Sequence, residues 1–282
     1  MMRTTYAALA GCCIVLALPA IDDSCTIEVV PNLSPAEFAA TYKGERPVVF
    51  SRSLNDTQIT RDRLDRSRLL LNYGEESVSL LSVDSSSHRT KSATLRHYIE
   101  DLVTPQDEDT RADDSWYLFG EALGDPWDEL VSEYPRPLDS AADAGLRAWG
   151  CGGLYSGVNF HAHGAVFAET LHGRKRWFLA PPAAPPPFSP RRTQLQWLLE
   201  QTGRSDGSSV AELSGTVGSE RAPASLHVSS RGGGAAASSI GVGVTACSLG
   251  PGEVLYIPPG WWHATLNLAD WTAFVSTFTM ES

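Results

Sequence analysis

The chain has 282 residues, 42% hydrophobic and 20% charged, with 33 acidic against 22 basic side chains and a formal net charge of −11. That balance can bury a core of ordinary size, and the excess of acid argues against nucleic acid or an anionic membrane as the main partner. The length suits one large domain, because no linker interrupts the chain before residue 200.

The first twenty residues read as a secretory signal peptide. Arg3 supplies a basic start, Tyr6 to Leu18 is almost wholly apolar, and Pro19-Ala20 offers a small-residue exit. Roughly 13 apolar residues are too few for a spanning helix, which takes about 20. An uncleaved anchor is the alternative, since Leu18 stands where a small residue is preferred. No later stretch predicts a transmembrane segment, and Thr279 to Ser282 carries no retrieval signal.

Residues 21–282 then form the expected single domain, with a helix-and-strand part over 26–145 and a barrel core over 146–282. Ser34 to Tyr42 predicts a short helix with Ser34 as N-cap and Pro35 in the first turn. Pro47 to Phe50 predicts a strand, Arg61 to Tyr73 a surface helix, and Ser77 to Val83 a strand. Leu95, Tyr98, Ile99 and Leu102 have the spacing of an amphipathic helix. Trp116 to Phe119 is another strand, and Trp127 to Tyr134 a turn or two of helix.

From Ala148 the texture changes to short strands broken by glycine: Leu154 to His163, Ala165 to Leu171 and Arg176 to Leu179. Thr193 to Gln201 predicts a helix; Val254 to Ile257, His263 to Leu268 and Thr272 to Phe278 complete the strands. Between them, Gly203 to Thr245 is dominated by Gly, Ser and Ala and predicts a disordered insertion, or an intron translated in frame. Helices followed by many short strands indicate an α+β fold with a barrel or sandwich at its centre.

Three cysteines remain beyond the signal, enough for one disulfide and one free thiol in an oxidising compartment. Cys25 and Cys247 are the preferred pair, although the sequence leaves all three pairings open, and Cys151 reads as a buried, inert thiol. Asn55-Asp56-Thr57 is an N-glycosylation sequon in a polar turn, and Asn32-Leu33-Ser34 is a poorer one because Pro35 follows it.

The chemistry concentrates in His161-Ala162-His163 and, a hundred residues later, in Gly252, Pro258, Gly260, His263 and Asn267. Residues i and i+2 of a strand face the same side, so His161 and His163 can share one cavity with His263 delivered from another strand. A histidine in an apolar sheet is usually a core residue bonded to a carbonyl. Three in register with turn glycines and prolines point instead to a metal site. Trp261 and Trp262 are expected to pack the barrel mouth.

Phe160-His161-x-His163, then Gly173 to Leu179 with Pro181-Pro182, and Gly252 to His263, resemble the iron-motif strand and distal-histidine hairpin of the JmjC (Jumonji C) family. Cys25-Thr26-Ile27-Glu28, Glu37-Phe38, Arg46-Pro47-Val48 and Trp261 to Leu268 extend that resemblance to a lumenal branch of the family. It implies a double-stranded β-helix with flanking helices, residence in the endoplasmic reticulum lumen, and regulatory work through protein partners without a settled reaction.

The family's oxygenases bind Fe(II) through His-x-Asp/Glu and a distal His, leaving positions for 2-oxoglutarate and dioxygen. The carry-over holds at His161 and His263 and breaks at His163, which replaces the anionic ligand with a neutral one. Three imidazoles favour zinc or copper as much as iron, and no bound metal at all is a further alternative. Lys175 matches the lysine that pairs with the cosubstrate's distal carboxylate, or it is an exposed strand-end lysine. Thr277 lies near another polar cosubstrate contact, whereas Val158 stands where a hydroxyl is often found. Glu169 is the candidate fourth ligand in a metal-cupin reading. The preferred alternative makes it a rim carboxylate beside Arg174 or Lys175. Three functions follow: a regulatory binding protein with an altered site, an active Fe(II)/2-oxoglutarate hydroxylase, and a small-molecule metal cupin.

Overall fold

The computed structural model describes residues 21, 23–87, 89–120, 124–138, 144–202, 240 and 243–279. The expected signal peptide and nearly all of the expected insertion lie outside the described residues. Helix α1 (Pro35–Thr41) starts at Ser34, whose hydroxyl accepts from the Glu37 N–H at 3.2 Å, and strand β1 (Val48–Ser51) follows. The single helix expected over Arg61 to Tyr73 is instead two, α2 (Gln58–Arg63) and α3 (Arg66–Tyr73). Asp65 causes the break: its carboxylate accepts from the Ser67 and Arg68 N–H groups at 3.0 and 3.2 Å, an N-cap that restarts the helix. Strands β2 (Ser77–Ser82) and β3 (Thr90–Thr94) pair next. Helix α4 (Leu95–His97) then widens into a π-turn over Tyr98–Leu102 that buries Tyr98 and Ile99. Strand β4 (Trp116–Phe119) and helix α5 (Asp128–Val131) complete this part.

The remaining elements are β5 (Ala144–Gly152), β6 (Gly157–His161), β7 (Val166–His172), β8 (Lys175–Ala180), α6 (Gln194–Gln201), β9 (Thr245–Leu249), β10 (Glu253–Ile257), β11 (Trp262–Asn267) and β12 (Thr272–Thr279). One sheet has the order β1-β10-β7-β12-β5-β4-β2-β3 and the other β6-β11-β8-β9. From β5 to β12 the chain passes back and forth between the two antiparallel sheets, which is the double-stranded β-helix, or jelly roll. The fold class is α+β, with few helices.

The core lies in layers set by strand alternation. Val166, Ala168, Trp177, Leu179, Leu255 and Ile257 meet between the two sheets. The opposite face of the larger sheet is covered by the N-terminal part, through Phe38, Tyr42 and Phe50 against Phe167 and Tyr256. On the smaller sheet, α6 lays Leu195, Trp197 and Leu198 over Phe160, Phe178, Ala264 and Leu266. A reciprocal cap between Thr193 and Gln196 fixes where that helix begins.

Cys25 and Cys247 form a disulfide across 222 residues of sequence. Beside it, the Thr26 N–H donates to the Ala246 carbonyl at 2.8 Å, and the Ala246 N–H donates to the Thr26 hydroxyl at 2.9 Å. The N-terminal segment is thereby tied to β9. Cys151 is buried and free, and burial pushes its thiol up.

Candidate metal centre

β6 and β11 present two of the three histidines, with His161 opposite His263 in the ladder. Their approach is close: a Cβ on Gly157 would stand 1.8 Å from the Thr265 carbonyl oxygen, so only glycine fits there. The register slips between His263 and Thr265, whose partners are His161 and Val158. The extra residue on β6 is a bulge. It turns Asn159 and Phe160 outward together, Asn159 to the Arg192 carbonyl at 2.7 Å and Phe160 to α6, while Val158 and His161 both line the interior. His163 follows the end of β6, held where its carbonyl accepts from the Gly260 N–H at 2.8 Å. Gly260 belongs to the turn that introduces β11, so one hydrogen bond joins the two halves of the motif.

Each ring is oriented through its Nδ1 atom. His161 donates to the Asn159 carbonyl at 2.8 Å, His163 to the Gly164 carbonyl at 2.7 Å, and His263 to the Trp261 carbonyl at 2.9 Å. A carbonyl only accepts, so every Nδ1 carries its hydrogen and every neutral ring has a bare Nε2 lone pair. One nitrogen from each ring lies within 4.8 Å of the others, and Nε2 of His163 stands 3.1 Å from Nε2 of His263. Two ligand nitrogens ~2.1 Å from one ion at a right angle are separated by ~3.0 Å. Burial pushes His161 down to about 4 and His263 well below the usual imidazole range, with the neighbouring imidazoles acting in the same direction. Both therefore stay neutral and able to coordinate near neutral pH. The residues fit a divalent metal.

The contacts expected for 2-oxoglutarate are only partly assembled. Lys175 lies in the same cavity as the histidines, but its Nζ sits 3.4 Å from the centroid of the Phe274 ring, which covers it. The lysine is 3% exposed, so it is not the strand-end surface lysine that was its alternative. Burial lowers its pKa to about 7. The cavity's free space is small, about 30 Å³, and Phe119, Phe274 and Phe278 are among its walls. Thr277 faces away: Phe274, Ser276 and Phe278 of β12 line the cavity, so alternation turns Thr277 to the opposite side.

Glu169 is likewise outside the centre. Val166 and Ala168 face the interior, so Glu169 projects from the other face of β7. There it accepts from Arg52 Nη1 at 3.1 Å and from the Tyr134 hydroxyl at 2.6 Å, rather than pairing with Arg174 or Lys175. Burial raises its pKa, opposed by Arg52 and Tyr134. Asn267 donates to the Ser156 hydroxyl at 3.0 Å and ties β11 to the loop before β6. Trp261 packs against the interior cluster, and Trp262 stacks near Phe188 at 6.1 Å. Asn55 is exposed in a helical turn over Leu54–Thr57, while Thr57 of the same sequon is buried.

Sequence reasoning missed Trp177, Thr265 and Ser276, all of which line the cavity. Two were within reach, because Trp177 is two residues from Lys175 and Thr265 two from His263. Ser276 required the register of β12, which follows only from its pairing.

No family model matches the chain. Among curated proteins it is 35% identical to human JmjC domain-containing protein 8 over 258 residues, covering 91% of this chain and 84% of that protein. It is 28% identical to lysine-specific demethylase JMJ21 of Arabidopsis thaliana, covering 91% of this chain and 26% of that one. Among solved structures, Escherichia coli ycfD superposes with a TM-score of 0.48 at 18% identity, covering 88% of this chain and 53% of that one. Identity to the human protein at that level along nearly the whole length, with the paired and distal histidines on adjacent strands of one jelly roll, places the chain in the JmjC domain-containing protein 8 family.

Proposed function

We propose that the chain is a JmjC-domain protein of the endoplasmic reticulum lumen that acts through protein partners and carries an altered, three-histidine metal site. The observation that carries the reading is the pair of bare Nε2 atoms 3.1 Å apart, where the oxygenase pattern would set a carboxylate against an imidazole. Three neutral donors leave a divalent ion its full charge. When bound, such an ion would supply Lewis acidity at His161, His163 and His263. The cavity beside it is small and its Lys175 lies against the Phe274 ring, which supports a binding role over catalysis. Lumenal residence is supported by the apolar stretch behind Arg3 and by a disulfide of a kind that persists in oxidising compartments. No helix among the described residues is long and apolar enough to cross a membrane. Asn55, exposed on its turn, is the proposed glycan acceptor.

An active hydroxylase is the second reading, favoured by Lys175 sharing the cavity with the histidines. Untagged protein secreted from a eukaryotic host separates the two by elemental analysis and succinate release. The proposal expects a divalent ion that is lost in His161→Ala and His263→Ala, with no succinate formed from 2-oxoglutarate. Iron-dependent succinate release that disappears in both variants would establish the hydroxylase instead.

A further inference from the structure

The His161 ring leans on the carbonyl two residues before it, and that carbonyl belongs to the bulge in β6. His161 stands opposite His263 and Val158 opposite Thr265, so Asn159 and Phe160 both lie across from Ala264. The ladder is locally disrupted at such a place, and the bulged residues need another hold. The Trp261 carbonyl behind His263 has one in the main chain. There the Trp261 N–H donates to the Pro258 carbonyl at 3.4 Å, and the adjoining Gly260 N–H to the His163 carbonyl at 2.8 Å. Behind His161 a side chain takes that part. Asn159 is 4% exposed, and its amide donates to the Arg192 carbonyl at 2.7 Å and to the Val83 and Pro190 carbonyls at 3.4 Å each. The amide's hydrogens are thus shared among carbonyls of two segments, one just past β2 and one just before α6, neither of which lines the histidine cavity. Phe160 completes the hold, edge-on to Trp197 with ring centroids 4.9 Å apart.

We infer that Asn159 is a positioning residue of the metal centre. Its side-chain amide fixes the bulged peptide whose carbonyl receives the His161 Nδ1–H at 2.8 Å, and so sets where the His161 Nε2 lone pair points. The inference rests on the metal reading above, and it names the residue through which the segments before α6 and after β2 act on one ligand. An outer hydrogen-bond partner of this kind is worth roughly 10–100-fold in metal affinity. A residue serving only to pack those segments would change stability and leave the ion's coordination as it was. Gln196 supplies the comparison, because its amide bridges the neighbouring junction. Its Nε2 donates to the Glu108 and Thr110 carbonyls at 2.8 and 3.2 Å, from α6 rather than from beside a histidine.

Full-length protein titrated with Co(II) tests it, with affinity and the visible absorption of the bound ion as the two readouts. Asn159→Ala should bind Co(II) about ten-fold or more weakly than wild type, with a changed spectrum as His161 loses its place in the coordination shell. Gln196→Ala should keep wild-type affinity to within about two-fold, and the wild-type spectrum. Asn159→Asp, equal in size but turning only acceptors toward the three carbonyls, should do at least as much harm as Asn159→Ala. Equal loss of affinity in Asn159→Ala and Gln196→Ala overturns the inference, as does a wild-type spectrum in the Asn159→Ala protein. Should both Asn159 variants fail to fold, the wild type decides by linkage: if the clamp tightens metal binding, metal binding tightens the clamp. Amide hydrogen exchange at residues 191–193 should then slow on cobalt loading while that at residues 108–110 does not. Exchange at 191–193 that ignores the metal ends the inference. Wild-type protein that takes up no cobalt ends both this inference and the metal reading, whereas undiminished cobalt binding by Asn159→Ala ends this inference alone.

Discussion

Nε2 of His163 faces Nε2 of His263 at 3.1 Å, and two neutral rings whose Nδ1 hydrogens serve backbone carbonyls have no hydrogen to share there. A cation between them resolves the opposition of two lone pairs. Loss of His263 should therefore reduce metal affinity by more than the roughly 10–100-fold that follows loss of an outer hydrogen-bond partner. His163→Asp should act in the other direction for iron, because it restores one anionic ligand. Calorimetric titration with Fe(II) under anaerobic conditions checks both variants. Equal affinity in His163→Asp and wild type would mean that His163 takes no part in coordination.

Glu169→Ala isolates the buried carboxylate from the metal question. Removing it takes the carboxylate from Arg52, which keeps only the Pro135 carbonyl at 3.0 Å, and from the Tyr134 hydroxyl. Breaking one side of a buried ion pair costs about 3–5 kcal/mol. Urea unfolding should register that loss while metal content stays at the wild-type level. Metal lost from a still-folded Glu169→Ala protein would return the carboxylate to the coordination shell.

Lys175 should leave its mark on the pH dependence of stability. Its pKa falls from 10.5 to about 7 in the folded protein because burial penalises the ammonium, with Cys151 opposing the shift. Between those values the unfolded chain binds the additional proton, so stability rises with pH by at most ~1.4 kcal/mol per unit. Below about 7 both states hold the proton and the contribution is flat. Lys175→Met should abolish the slope and make the ligand-free protein more stable at pH 7. Chemical denaturation across the alkaline range is the measurement, and an unchanged slope would refute the assignment.

Gly157→Ala tests the strand contact that positions the site. The new methyl would meet the Thr265 carbonyl at 1.8 Å, so β6 and β11 must separate or slip. The expected result is a cost above the ~1 kcal/mol typical of point substitutions, together with weakened metal binding as His161 leaves its place opposite His263. Retained affinity in that variant would show that the ladder is not what places the ring.

Local signals in the sequence account for much of the fold and for the heart of the site. The His161 and His163 pair, the turn residues before His263, and the caps at Ser34 and Thr193 are of this kind, and the elements they predict are present. What escaped depends on pairing. Thr277 and Glu169 sit on strands whose inward face is set by neighbours, and a choice wrong by one residue reverses the side chain's direction. The break between α2 and α3 escaped because Asp65 reads as one more polar residue until its side chain is seen taking two backbone N–H groups. β5 escaped because Gly145, Gly150 and Gly152 interrupt its alternation, and β3 because its residues are polar and half-exposed. β9 escaped because it adjoins a stretch of low complexity.

Replacing Cys25 or Cys247 by serine should cost about 2–5 kcal/mol, the range for native disulfides in small secreted domains. Thermal melts with and without reductant give the comparison. Wild type under reductant should behave like Cys25→Ser, since buried Cys151 has no partner to lose.

The same bond has a topological consequence. It closes a covalent ring over residues 25–247, so hydrolysis of any one peptide bond within that span, the low-complexity stretch included, opens the ring without yielding two separate molecules. A nicked chain would run as one species on a non-reducing gel and as two after reduction. Both ligand-bearing arms would remain tethered to one another after such a nick.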